Sequence, residues 1–102
     1  MPLGVGIEIG KLTAAGDHVG GGLLSIASGA SVYSYYGGVE SWGDGEKVVN
    51  DGTIQSPNNA LSLHADNCTV DNSGKIDGTY NTGLWADGDG IKVNNSGTIS
   101  SY

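Results

Sequence analysis

Six residues hold most of the chemical potential of this sequence: Glu40, Trp42, Ser62, His64, Trp85 and Asp87. An imidazole between carboxylates can move protons, so His64 with Asp87 and Glu40 can be drawn as a general acid–base constellation. Paired carboxylates are also the machinery of a glycosidase. Two outward tryptophans suit a protein interface, where Trp is enriched at the centre, or else a carbohydrate platform. A second group is acidic. Asp87-Gly88-Asp89-Gly90 aligns with Gly43-Asp44-Gly45-Glu46 and Ala65-Asp66-Asn67. A column of Asp44, Asp66 and Asp89 would repel itself unless a cation or a partner's base neutralised it, and hard cations such as calcium take clustered carboxylates. Against that, Asp-Gly is common turn chemistry, and the calcium-binding nonapeptide pattern is absent. No nucleophile motif, pocket-forming insertion or metal-ligand spacing accompanies either group. The residues therefore point to an interface of Trp42, Trp85, Glu40, His64 and Asp87 rather than to catalysis. They imply no cofactor, with Asp44, Asp66 and Asp89 as weak metal candidates.

What would place these side chains together is a repeat. Lys47–Ile54, KVVNDGTI, returns as Thr69–Ile76, TVDNSGKI, and as Lys92–Ile99, KVNNSGTI, with glycines at 52, 74 and 97 and spacings of 22 and 23. A unit of this length signals a chain coiled and stacked on itself. Counting back from each glycine pairs Val48, Val70 and Val93, then Asp44, Asp66 and Asp89, then Val39, Leu61 and Leu84. Each unit reads as a short strand (Val39–Trp42, Leu61–His64, Leu84–Asp87), a polar turn, a second strand, a corner at the glycine and a third strand.

Stacked in parallel at about 4.8 Å, each strand lies on its copy and identical positions form ladders. The inward set is then Val39, Ser41, Leu61, Leu63, Leu84, Ala86, Val48, Val70, Val93, Ile54, Ile76 and Ile99. The glycines at 52, 74 and 97 are expected at positive φ. Asn50, Asp71 and Asn94 should stack before them, with Asp51, Asn72 and Asn95 beside, as amide ladders. Cys68 aligns with Glu46 and Ile91 and reads as a small hydrophobe near a corner.

The start of the chain is less regular. Leu23–Gly37 is a degenerate first unit, with Ile26 opposite Val48 and Val32 opposite Ile54; terminal repeats are often atypical. Residues 1–22 do not fit the repeat. Val5, Ile7 and Ile9 alternate as in a short strand, and Gly20-Gly21-Gly22 breaks the chain before the coils. That segment reads as an arm reaching a neighbour, a cap, or a plain strand on the same domain. Tyr33, Tyr35 and Tyr36 suit a cap over the first coil or a binding cluster, and His18 a solvated loop.

Composition narrows the class. The chain has 102 residues with 19 Gly, 2 Pro and no Phe, so it is one domain with little prospect of long helices. A net charge of −7 disfavours nucleic acid and anionic membranes, which need a basic face. One cysteine excludes an intramolecular disulfide. No apolar run is long enough to span a membrane. Residues 1–20 lack the pattern of a secretory signal, so the chain is expected either to act where it is made or to be a fragment or a component assembled in the cytoplasm.

With V-x-N-x-G-x-I at coil spacing over roughly residues 23–102, the chain resembles right-handed parallel β-helix proteins. The NSGTI-type coils of autotransporter passengers and of phage tailspikes and decoration proteins are the nearest in look. The fold expected is all-β: a short right-handed parallel β-helix (β-solenoid) of about 22 residues per coil, with an N-terminal strand or arm. The resemblance is specific for fold and not for function; with the small size, the acidity, the missing secretory signal and a separate N-terminal strand that could anchor, the expectation is a non-enzymatic structural role, as a phage capsid decoration or cement protein or a spike component on the virion surface, assembled in the host cytoplasm. The expected partners are copies of itself, as a homotrimer, and a major capsid or other virion protein. The alternative is a carbohydrate-binding adhesin or autotransporter passenger fragment.

Overall fold

Short runs with an aliphatic residue at every second position, closed by Gly, Asn or Asp, cannot sustain helices and form strands of three or four residues. The computed structural model describes residues 7–9 and 21–101. Twelve strands follow one another: β1 (Ile7–Ile9), β2 (Leu23–Ile26), β3 (Ser31–Tyr33), β4 (Val39–Ser41), β5 (Lys47–Asn50), β6 (Thr53–Ser56), β7 (Leu61–Leu63), β8 (Thr69–Asn72), β9 (Lys75–Gly78), β10 (Leu84–Ala86), β11 (Lys92–Asn95) and β12 (Thr98–Ser101). They sort into three four-stranded sheets. The first sheet runs β1-β4-β7-β10, the second β2-β5-β8-β11 and the third β3-β6-β9-β12. Every neighbouring pair is parallel. The chain visits the three sheets in turn and then climbs one rung, which defines a parallel β-solenoid. Among the described residues no helix is long and apolar enough to cross a membrane.

The register is that of the repeat. Val39 lies on Leu61 and Leu61 on Leu84; Val48 on Val70 and Val70 on Val93; Ile54 on Ile76 and Ile76 on Ile99. Val39, Val48, Ile54, Leu61, Leu63, Val70 and Ile76 are fully buried, each stabilising the stack by roughly 1.5–3 kcal/mol. The same columns loosen in the last coil. Leu84 and Ile99 are half-buried and Val93 is 41% exposed, because no described rung covers them.

Three expectations are corrected. First, Gly52, Gly74 and Gly97 do not have positive φ; among the described residues that conformation falls on Gly21, Gly29, Gly37, Gly45, Gly90 and Asn67. The repeated glycines are required by proximity instead. A Cβ on Gly74 would lie 2.0 Å from the Gly52 carbonyl oxygen, and one on Gly97 2.1 Å from that of Gly74. Second, the amide ladder is Asn50, Asn72 and Asn95, two residues before each glycine, whereas Asp71 and Asn94 lie one residue earlier on the outer face. Third, Leu24, not Ile26, lies on Val48, and Ile26 lies on Asn50. Val32 does lie on Ile54. The turn at 27–30 is longer than the corner at 51–52, which shifts the earlier strand by two residues.

The N-terminal strand belongs to the stack: β1 pairs with β4, Ile7 on Val39, as the first rung of the first sheet. His18, Val5 and the rest of residues 1–6 and 10–20 lie outside the described residues.

Candidate functional site

The first sheet positions the candidate residues. Its strands end in register at Ser41, Leu63 and Ala86, so the next residues, Trp42, His64 and Asp87, follow one above another. On the strands themselves Glu40, Ser62 and Trp85 form the adjacent outward column. The structure brings three of these, Trp42, Glu40 and Asp87, together around His64. Its ring stacks on that of Trp42, with centroids 4.1 Å apart and planes 19° from parallel. Its Nε2 lies 3.8 Å from Glu40 Oε2, and its Nδ1 lies 3.6 Å from Asp87 Oδ2. Ser62 is buried beneath its neighbours. Trp85 stands on the rim with 46% of its surface exposed.

These distances define what the cluster can do. Both His64–carboxylate separations are ion-pair distances, longer than a hydrogen bond. The imidazole therefore lies between two carboxylates and is stacked on the Trp42 ring. No serine, threonine or cysteine hydroxyl or thiol is bonded to it among the described residues. The cluster sits on the outer side of the first sheet and the turn that follows its strands. The open groove of about 520 Å³ lies elsewhere, along β11 and the corner beside it, lined by Asp51, Asp71, Val93, Asn94 and Ser96 among others.

The acidic column has a different occupation. The Asp44 Oδ1 accepts the Asp66 N–H at 3.0 Å, and the Asp66 Oδ1 accepts the Asp89 N–H at 2.8 Å. Each carboxylate thus anchors the turn of the following coil, which favours the turn reading. Among the described residues no group of three or more His, Cys, Asp or Glu side chains is placed to hold a metal ion.

The other outward ladders are similarly self-satisfied. Asn94 Nδ2 donates to Asp71 Oδ1 at 2.7 Å, and Lys47 Nζ lies 3.2 Å from Asp71 Oδ2. The Asn94 amide first, and Lys47 with it, hold the Asp71 carboxyl below its usual range. Ser100 Oγ donates to Asp77, which also faces Lys75.

Sequence reasoning passed over one buried carboxylate. Glu46 is 2% exposed, and its Oε1 accepts from Ser41 Oγ at 2.7 Å and from the Gly43 N–H at 2.9 Å. Cys68, fully buried in the next coil, lies 3.8 Å from the same Ser41 hydroxyl. The signal was present: a glutamate shares a column with Cys68 and Ile91. Its bonds tie the corner after β4, a structural role. The tyrosines are outward. Tyr35 and Tyr36 meet edge-on at 5.0 Å, and with Tyr33 and Tyr80 they are exposed on the side where the third sheet turns into the first.

Fold and site together define a parallel β-solenoid whose first sheet carries an aromatic and charged outer face. Comparison with family models, curated proteins and solved structures finds no match to this chain.

Proposed function

We propose that this chain is a non-enzymatic structural module that acts by protein–protein contact, as a decoration or cement protein or a spike component on the surface of a phage particle. The observation that carries the contact reading is the outer face of the first sheet. Trp85, 46% exposed, stands beside a charged cluster whose histidine is already engaged by Trp42, Glu40 and Asp87. An exposed tryptophan ring beside charged groups is a combination enriched at interface hot spots. Three copies packed through this face form the proposed homotrimer, which then meets a major capsid or other virion protein. The same pairing of an exposed Trp with Glu40 and Asp87 favours a second reading, a carbohydrate platform on an adhesin-like surface.

Sedimentation tests the contact. The wild-type chain should run as a trimer at micromolar concentration, and Trp85→Asp as a monomer with an unchanged far-ultraviolet spectrum. A well-folded wild-type monomer overturns the assembly. Co-purification with intact phage particles tests the location. Quenching of tryptophan fluorescence by a polysaccharide, without such co-purification, would move the assignment to the second reading.

A further inference from the structure

Charge is spread unevenly over the coils. The net charge of the chain is −7, yet the turns that lead from the third sheet back to the first, residues 34–38, 56–60 and 78–83, contain no charged side chain. What this side exposes is tyrosine. Tyr33, Tyr35, Tyr36 and Tyr80 are between 49% and 76% exposed. The hydroxyls of Tyr33, Tyr35 and Tyr36 bond to no described residue. The coil does not require these rings. Counting three residues on from the paired Tyr33, Gln55 and Asp77 puts Tyr36, Asn58 and Tyr80 at one position of successive coils. The middle coil fills that position with an amide and stacks as well as its neighbours. The alternation that turns Val32 onto the core turns Tyr33 outward. The rings thus face sideways from the stacking axis, and further coils at either end would lengthen this side rather than cover it.

The patch is also set in advance. The Tyr35 carbonyl accepts from Asn58 Nδ2 at 2.7 Å and from Ser56 Oγ at 3.3 Å, and Ser56 Oγ accepts from the Asn58 N–H at 3.0 Å. These bonds tie the turn of one coil to that of the next and fix where Tyr35 leaves the chain. The Tyr35 and Tyr36 rings meet edge-on, with centroids 5.0 Å apart. Asn58 Nδ2 is spent on Tyr35, so its Oδ1 is the acceptor left for a ligand. Two rungs of about 4.8 Å each separate Tyr36 from Tyr80, so the patch runs about 10 Å along the stack.

A ligand for this surface must offer apolar faces to the rings, hydroxyl partners to the phenols and the amide, and no charge. Each tyrosine presents an apolar body and a hydroxyl that both donates and accepts. A charged ligand would lose hydration here without meeting a counter-charge, and an anionic one would also meet the field of an acidic chain. A second copy brings the same excess of negative charge. A neutral sugar satisfies all three demands, since a pyranose ring has a C–H face and a rim of hydroxyls. Several sugars in a row suit a patch that spans three coils. We propose that the turns between the third sheet and the first form a binding site for a neutral polysaccharide, with Tyr36 and Tyr80 as stacking platforms and Tyr35 and Asn58 as polar contacts between them. This surface is separate from the outer face of the first sheet and rests on neither reading given for that face.

Affinity electrophoresis of the full chain tests the site, in native gels cast with dextran, galactomannan, hydroxyethyl cellulose or, as the acidic comparison, alginate. Relative to a non-binding standard, at least one of the three neutral polymers should retard the wild type, and alginate should not. Tyr36→Ala combined with Tyr80→Ala should abolish that retardation and leave the far-ultraviolet spectrum and the thermal midpoint unchanged, because both side chains are exposed. The proposal is overturned if none of the three neutral polymers retards the wild type, if alginate retards it as strongly, or if the double variant is retarded like wild type. Loss of retardation with Trp85→Asp alone would place the sugar on the first sheet and overturns it too. So does a double variant that sediments as a monomer where wild type is an oligomer, since the tyrosines would then join copies of the chain.

Discussion

Replacing Gly74 with alanine separates two reasons for a glycine at the repeated corner. The added Cβ would sit 2.0 Å from the Gly52 carbonyl oxygen and 2.8 Å from the Asp51 carbonyl carbon. Relief requires the two coils to part by on the order of 1 Å, since carbon and oxygen in contact lie more than about 3 Å apart. Several bonds cross that gap. The Lys75 N–H donates to Gly52 at 2.8 Å, and the Ser73 and Gly74 N–H groups donate to Asn50 at 2.9 and 3.0 Å. Loss of two or three of them, at about 1 kcal/mol net each and more where a buried group is orphaned, gives a destabilisation of about 3 kcal/mol. For a domain of this size that lowers the thermal midpoint by at least about 12 °C. Gly45 is the control. It has φ +70° and nothing within 4 Å of a Cβ, so alanine there costs only the backbone strain of about 1–2 kcal/mol. Thermal unfolding followed by circular dichroism should rank Gly74→Ala well below Gly45→Ala. If Gly74→Ala melts like wild type, or Gly45→Ala is the worse of the two, close packing of coils is not what the repeated glycine provides.

Asn72→Ala should cost about 2–3 kcal/mol in urea unfolding, because it opens a buried ladder on both sides, while Asn95→Ala at the exposed end costs under about 1 kcal/mol; equal effects would refute the ladder. Asp71 has a depressed pKa in the folded state, so its contribution is present above the ordinary carboxylate value and is lost as pH falls through the folded one. Asn94→Ala should therefore weaken the protein more at neutral pH than in acid, and a pH-independent loss in denaturation profiles would contradict this. Cys68 is fully buried, so a thiol reagent should label it only at the rate of unfolding; rapid labelling of the native protein would show the corner to be open.

The coil was legible because its inner columns repeat type. Val48, Val70 and Val93 recur at one position, as do Ile54, Ile76 and Ile99, and a two-residue alternation then fixes which side faces in. The errors have a common cause. A glycine in sequence reports that a Cβ is not tolerated, but backbone angle and close approach give the same letter, and only the stacked carbonyls at 2.0 and 2.1 Å distinguish them. The ladder was misaligned because Asn94-Asn95 and Asp71-Asn72 each offer two short polar residues side by side. Which of the two turns inward depends on strand register, read correctly by counting back two residues from the glycine. The first coil slipped because turn length is not encoded by the core pattern. Glu46 escaped notice because a buried carboxylate is recognisable only once its donors, Ser41 and Gly43, are placed.

The candidate site was legible for a different reason, and only as a set of positions. Where a column points inward, each coil must supply the same shape to its neighbours, so residue type hardly changes from rung to rung. Where a column points outward, that constraint lapses, and a solvated ladder can keep small polar residues that satisfy one another, as Asp71 and Asn94 do. The outward columns of the first sheet keep neither one residue type nor small polar residues. One runs Glu40, Ser62, Trp85 and the other Trp42, His64, Asp87, each rung with a different chemistry. Such columns gain nothing from stacking like on like, and an exposed ring adds no order to the coil beneath it. On the proposed contact reading, their composition answers to whatever meets the face from outside, whose shape is not written in the repeat. That is why spacing located the face, while the proposal of a contact there rests on the aromatic and charged groups that the sheet gathers.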